Sequence, residues 1–180
     1  MIDGIWVISR QMVKGIIEHE DRHNITKPWA LISINEKEGH EAVRPGDFEK
    51  LQERHCQKVL SLVFSDITEA SFKRLESAYK NSSKKLTLFT EEHAREALAL
   101  AEELHAQKEK TFLAIHCHAG VSRSGALGIF FCRYFGFNEE RFMTANPHIK
   151  PNDFVYNTML KVSGMPDEGK HWWYTPDLEL

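Results

Sequence analysis

The sequence predicts an α/β domain, a central, mostly parallel sheet flanked by helices, and three observations predict it. Thr111–Ile115 is a short, nearly continuous apolar stretch of the kind buried on both faces, Trp29–Ile34 and Val59–Phe64 are apolar enough to be interior strands, and Ile5–Ile8 is a further strand candidate. Segments of helical periodicity stand between several of them, as parallel neighbours require. The last run passes through a tight Gly-containing loop straight into a long apolar helix. A chain of 180 residues, 42% apolar and 27% charged, is large enough to bury one substantial core. Residues 1–163 read as a single domain and 164–180 as an aromatic-rich tail with Trp172, Trp173 and Tyr174, which packs on the core, covers a site or meets a partner.

The elements follow in order. After the first strand, Met12, Val13, Ile16 and Ile17 repeat at helical spacing from about Ser9. Pro28 precedes the second strand. Between it and the third lies the charged stretch Glu36–Gln57, whose Pro45-Gly46-Asp47 turn starts a short helix. This stretch either borders a site or is a solvated face, and Arg44 within it has the same two readings. Thr68–Tyr79 reads as a surface helix, Asn81-Ser82-Ser83 as a loop and Leu86–Phe89 as a short extended piece. Thr90 is an N-cap candidate with Glu91 and Glu92 in the first turn, and Ala94, Ala97, Leu98, Ala101 and Leu104 form one face. The helix after the loop carries Ala126, Leu127, Ile129, Phe130, Phe131, Tyr134 and Phe135 and ends at Gly136, a C′ glycine. Asn138–Ala145 and Asp153–Val162 are two further helices, set apart by Pro147 and Pro151.

Composition narrows the function. A net charge of −3 without a Lys/Arg stripe argues against nucleic-acid binding. No apolar run approaches 18 residues and no basic-apolar leader opens the chain, so neither a membrane span nor a secretory signal is expected. Three cysteines suit a reducing cytoplasm better than a disulfide framework. The oligomeric state is left open.

Chemistry concentrates in His116-Cys117-His118-Ala119-Gly120-Val121-Ser122-Arg123-Ser124-Gly125. A loop from a strand's carboxyl end to a helix N-terminus presents unpaired N–H groups and a positive dipole end, which together favour an anion. Ala119 and Gly120 let the backbone curl so that successive amides point inward, and the planar fork of Arg123 can hold two phosphoryl oxygens. A thiol in that setting, beside Arg123 and two histidines, is expected to ionise readily and attack as thiolate. Fixed dipoles then meet the substrate's charge without a metal or other cofactor. Gly120 and Gly125 have a Walker spacing, but Ala126 stands where lysine is required. Zinc would need a second ligand cluster, and the sequence has none in evidence.

Cys117, five residues, then Arg123, preceded by His116 and followed by Ser124, is similar to the signature loop of the cysteine-dependent protein tyrosine and dual-specificity phosphatases. The order of elements extends that resemblance over Ala30–Lys161, while only the loop is close residue by residue. The resemblance implies a phosphatase-type loop in which Cys117 forms a phosphocysteine. The backbone of His118, Ala119, Gly120, Val121, Ser122 and Arg123 would cradle the phosphate, and the Arg123 side chain would clamp it. It implies that Ser124 helps the thiolate leave and that His116 orders the loop. It further implies a phosphorylated protein or peptide substrate, phosphotyrosine favoured, with phosphate and other oxyanions as ligands. A rhodanese-like sulfur carrier and a buried structural cysteine are weaker readings of the same loop. A phosphoinositide or RNA 5′-phosphatase of the same fold and a non-catalytic phospho-binding module are the alternatives.

Ester cleavage also needs an acid for the leaving oxygen. Asp66 directly follows an apolar strand, and the carboxyl ends of parallel strands share one rim, so Asp66 and Cys117 are expected together. Asp66 with Glu69 also spells a helix cap. Glu69, Asp47 and Asp153 are reserves, because 51 residues separate Asp66 from Cys117, a longer interval than the resemblance implies. The Trp-Pro-Asp acid loop and downstream glutamine of the large receptor-type enzymes are absent, as are loop lysines suited to inositol lipids. Pro151-Asn152 is similar to the dual-specificity element after the loop, with Asn152 either supporting the loop or capping a helix. Cys132 lies about 13 Å beyond Arg123 along a helix, too far to bridge Cys117. Cys56 stays open as a redox partner.

Overall fold

The computed structural model describes residues 1–18, 25–37, 41–79 and 86–167; the Asn81-Ser82-Ser83 loop and the Trp172, Trp173 and Tyr174 tail lie outside these. Four strands, β1 (Ile2–Ser9), β2 (Trp29–Asn35), β3 (Cys56–Val63) and β4 (Thr111–Cys117), form one sheet in the order β1-β4-β2-β3. All three pairings are parallel. Seven helices accompany them in the described residues: α1 (Arg10–Glu18), α2 (Asp47–Gln52), α3 (Glu69–Tyr79), α4 (Glu91–Ala106), α5 (Arg123–Tyr134), α6 (Glu139–Ala145) and α7 (Asp153–Ser163).

The sheet divides the apolar side chains into two layers. Val13, Ile16 and Ile17 of α1 and Leu51 of α2 cover one face with Trp29 and Leu31. Ala97 and Leu104 of α4, Leu127 and Phe130 of α5, and Tyr156 and Met159 of α7 fill the other with Ile32, Leu113 and Ile115. β2 is buried along its whole length, which explains a run that is apolar but for Ser33 and Asn35. The direction of travel across the sheet decides the face. Moving from β1 to β2 and on to β3 uses α1 and α2 on one side, and returning from β3 to β4 uses α4 on the other, as right-handed crossovers demand. The chain therefore leaves the adjacent strands β1 and β4 toward opposite faces, which opens a crevice at their carboxyl ends.

Local signals account for several boundaries. Thr90 caps α4 by accepting from His93 N (3.3 Å), and His93 Nδ1 accepts from Thr90 N (3.1 Å), so a histidine completes the capping box. Leu100 joins the buried face of α4, and Leu98 is only half-buried. α5 ends in a Schellman motif: Gly136, at φ +71°, donates to Arg133 O and Phe137 donates to Cys132 O. Leu86–Phe89 is not a strand; it is tied to Ser65 through Ser65 N–Thr87 O (2.7 Å) and Thr87 N–Ser65 Oγ (3.2 Å). The Thr87 amide and carbonyl are thus engaged by Ser65, and the segment joins no strand of the sheet among the described residues. No helix among the described residues is long and apolar enough to cross a membrane.

Candidate active site

β4 carries His116 and Cys117 to the crevice, and α5 starts at Arg123 with Ser122 at its N-cap. The curl between them depends on Gly120, at φ +76°. A Cβ there would lie 2.8 Å from the C and O of Ile8 and 3.0 Å from Ser9 N, so the loop packs directly on the end of β1. The loop's carbonyls are turned outward and held. Arg10 N donates to His118 O (3.1 Å), Lys150 N to Val121 O (3.1 Å) and Asn152 N to Ser122 O (3.3 Å). With carbonyls engaged outside, the amides of Val121 and Ser124 are directed at the Cys117 sulfur.

That geometry sets the thiol's acidity. Burial opposes ionisation of Cys117, which is 2% exposed, but the Ser124 hydroxyl, the Ser124 and Val121 amides and the Arg123 charge outweigh it and lower its pKa. Ser124 Oγ lies 3.1 Å from Sγ, and Ser124 is itself fully buried. The two other cysteines are also buried, and burial pushes both Cys56 and Cys132 up to about 12. Burial alone therefore does not lower a thiol's pKa here; the loop's hydrogen bonds and the Arg123 charge do so at Cys117. Cys56 opens β3 and is level with Trp29 and thus Phe112, five residues from Cys117 along β4. Separation by about 16 Å of extended chain rules out a disulfide between them.

His116 corrects one expectation. Burial, aided by the charges of Arg10 and Arg123, pushes its pKa down to about 4 against the pull of the Cys117 carbonyl, so it brings no positive charge to the thiolate. Its Nδ1 is 3.1 Å from Cys117 O and its Nε2 is 2.7 Å from Ser33 Oγ. A carbonyl only accepts, so Nδ1 carries the hydrogen and Nε2 accepts from the serine hydroxyl. Ser33 Oγ in turn accepts from Asn35 Nδ2 (3.3 Å), and Asn35 Oδ1 accepts from Ala42 N (3.1 Å). His116 thus ties the Cys117 carbonyl to β2. His118 and Ala119 are exposed at the top of the loop.

Arg123, 2% exposed, donates from Nη1 to Phe64 O (2.8 Å). Its Nη2 lies 3.5 Å from Glu36 Oε1 and its Nε lies 3.9 Å from Asp66 Oδ2; that buried Nε has no hydrogen-bond partner. An orphaned guanidinium donor is costly unless something else meets it. Among the described residues no group of three or more His, Cys, Asp or Glu side chains could hold a metal ion.

Asp66 lies on the same rim. Its Oδ1 accepts from Ser122 Oγ (2.7 Å) and from Asn152 Nδ2 (2.9 Å). It does not cap a helix: Thr68 does that for α3, accepting from Ser71 N (3.2 Å). Asn152 combines both of its readings, since its Oδ1 caps α7 by accepting from Val155 N (3.2 Å) while its amide nitrogen reaches Asp66. Of the reserves, Asp47 accepts from Arg44 N (2.9 Å) in the turn before α2 and Glu69 pairs with Lys73 on the surface of α3 (2.8 Å). Asp153 lies in the first turn of α7, and Arg44 is exposed. Glu36 and Ser33 were not singled out by sequence. Glu36 directly follows β2, so the rim argument that selects Asp66 selects it equally well.

No protein-family model and no curated protein matches the chain. Solved structures do. Tk-PTP in its active form is similar with a TM-score of 0.51 at 15% identity, over 92% of this chain and 96% of that one. A glycine-to-alanine mutant form of Tk-PTP gives 0.47 at 15% identity over 91% and 92%. PTPMT1 in complex with PI(5)P gives 0.46 at 11% identity over 89% and 93%. The first of these shows the fold: a parallel four-stranded sheet flanked by helices, arranged as in Tk-PTP.

Proposed function

We propose that this chain, with its protein tyrosine phosphatase fold, is a phosphomonoester hydrolase that works through a phosphocysteine. The observation that carries the reading is the Cys117 sulfur, its pKa lowered despite near-complete burial by a hydroxyl and inward amides. In the first step the thiolate attacks phosphorus, the P–O ester bond breaks, and Asp66 gives a proton to the leaving oxygen. Arg123 and the loop amides hold the equatorial oxygens, with the orphaned Nε taking one of them. In the second step water attacks phosphorus with Asp66 accepting its proton, the P–S bond breaks, and the Ser124 hydroxyl stabilises the departing thiolate. Phosphate is released.

The depth of the sulfur supports an aryl phosphate. Cys117 is 2% exposed beneath exposed His118 and Ala119, and a tyrosine ring carries its phosphate further into such a site than a serine or threonine stem. The substrate favoured is therefore phosphotyrosine in a protein or peptide. The test is turnover of a generic aryl phosphate with chelator present, by wild type and by Cys117→Ser. Wild type is expected to turn over and the variant to be inactive while still binding vanadate. Activity surviving in the variant would end the proposal. A panel of phosphopeptides, phosphoinositides and RNA 5′ ends separates the substrate classes.

A further inference from the structure

We infer that Asn152 and Ser122 select which oxygen of Asp66 carries the catalytic proton. The inference rests on reading Asp66 as the acid. A carboxylate oxygen has two lone-pair directions, and on Oδ1 both are taken, by Ser122 Oγ at 2.7 Å and Asn152 Nδ2 at 2.9 Å. A proton added to Asp66 consequently goes to Oδ2. That oxygen is the one facing the orphaned Nε of Arg123, 3.9 Å away, where a phosphoryl group would bridge the two.

The donors are themselves fixed. Asn152 is 9% exposed, its Oδ1 must face the Val155 N–H that it caps, and its amide nitrogen therefore faces Asp66. Its own backbone N–H donates to Ser122 O (3.3 Å), so α7, the loop and the acid are joined at one residue. Asp66 has no helix cap to serve, because Thr68 serves α3. Asn152 is thus a positioning residue. It acts on the leaving group only through the Asp66 carboxyl, and losing its N–H leaves that carboxyl free to turn its proton away from the ester oxygen.

Substitution of Asn152 by Asp separates this role from the cap, since Asp is an N-cap as good as Asn. It removes the donor and puts a second carboxyl against the first, so the pair would hold a shared proton to higher pH. The experiment measures kcat against pH for phenyl and nitrophenyl phosphate in wild type, Asn152→Asp, Asn152→Ser, Asp66→Asn and the Asp66→Asn/Asn152→Ser double variant. Melting curves confirm folding. The alkaline limb is expected to move to higher pH in Asn152→Asp. In Asn152→Ser the phenyl-to-nitrophenyl rate ratio is expected to fall about 10-fold, part of the ~10²- to 10⁴-fold that a placed acid supplies. In the Asp66→Asn background the second substitution should leave that ratio unchanged. An unmoved alkaline limb in Asn152→Asp, or an equal loss in the absence of Asp66, overturns the inference while the acid role stands. If Asp66→Asn itself leaves the ratio unchanged, the acid reading fails and this inference with it.

Discussion

Replacing Gly120 with alanine tests whether the loop is held in the shape that its chemistry needs. The residue sits at φ +76°, where an L side chain costs about 1 to 2 kcal/mol. The added Cβ also meets backbone, 2.8 Å from Ile8 C and O and 3.0 Å from Ser9 N, and those atoms belong to a strand end paired with Cys117 itself. Backbone cannot swing aside as a side-chain tip can, so a further ~1 to 3 kcal/mol of overpacking follows. The combined cost of about 2 to 5 kcal/mol corresponds to a melting temperature lower by about 5 to 15 °C in a chain of this size. Gly136 provides the control, because it has φ +71° with nothing within 4 Å of its Cβ position. Gly136→Ala should incur the conformational part alone. If Gly120→Ala relieves the contact by lifting the loop, the Arg10 N–His118 O bond breaks, the amides lose their aim, and vanadate affinity drops. Differential scanning fluorimetry and vanadate titration on both variants decide the matter. Equal melting temperatures together with wild-type vanadate affinity in Gly120→Ala would refute the reasoning.

Two further predictions concern protons. Removing the Ser124 hydroxyl takes a donor from the sulfur at 3.1 Å, so the thiolate becomes harder to form and the acid limb of kcat/KM should move to higher pH. The kcat of Ser124→Ala should fall about 10- to 100-fold, the worth of a hydrogen bond to a charged group, with breakdown of the intermediate slowed most; an unmoved acid limb would contradict this. His116 predicts acid lability: burial holds it down to about 4, whereas an unfolded histidine titrates near ~6.5. The unfolded chain binds that proton first, so stability should fall by about 3 kcal/mol as pH drops from ~6.5 towards 4 and level off below. Urea unfolding at several pH values checks it, and an identical slope in His116→Gln would rule out His116 as the source.

Much of this site is legible from local pattern because its parts are local. The strand, the small residues of the turn, the thiol and Arg123 lie in one continuous stretch, Thr111 to Arg123, and the rim rule carries Asp66 to them from the end of β3. What escapes is long-range. The order β1-β4-β2-β3 leaves no local trace, and neither does the Ser33–His116 bond or the pairing of Glu36 with Arg123. The outward anchoring of the loop by Arg10, Lys150 and Asn152 uses backbone amides, which any residue supplies. The charge state of His116 escapes for a related reason: proximity in sequence suggests an electrostatic partner, and only its complete burial shows the ring to be neutral.

Mass spectrometry of rapidly quenched Asp66→Asn protein after mixing with an aryl phosphate bears on the central claim most directly. That variant lacks the group proposed to activate water, so one phosphoryl group is expected to accumulate on the peptide containing Cys117. A phosphoryl group found on another side chain, or steady turnover with Cys117 unmodified throughout, would contradict the account.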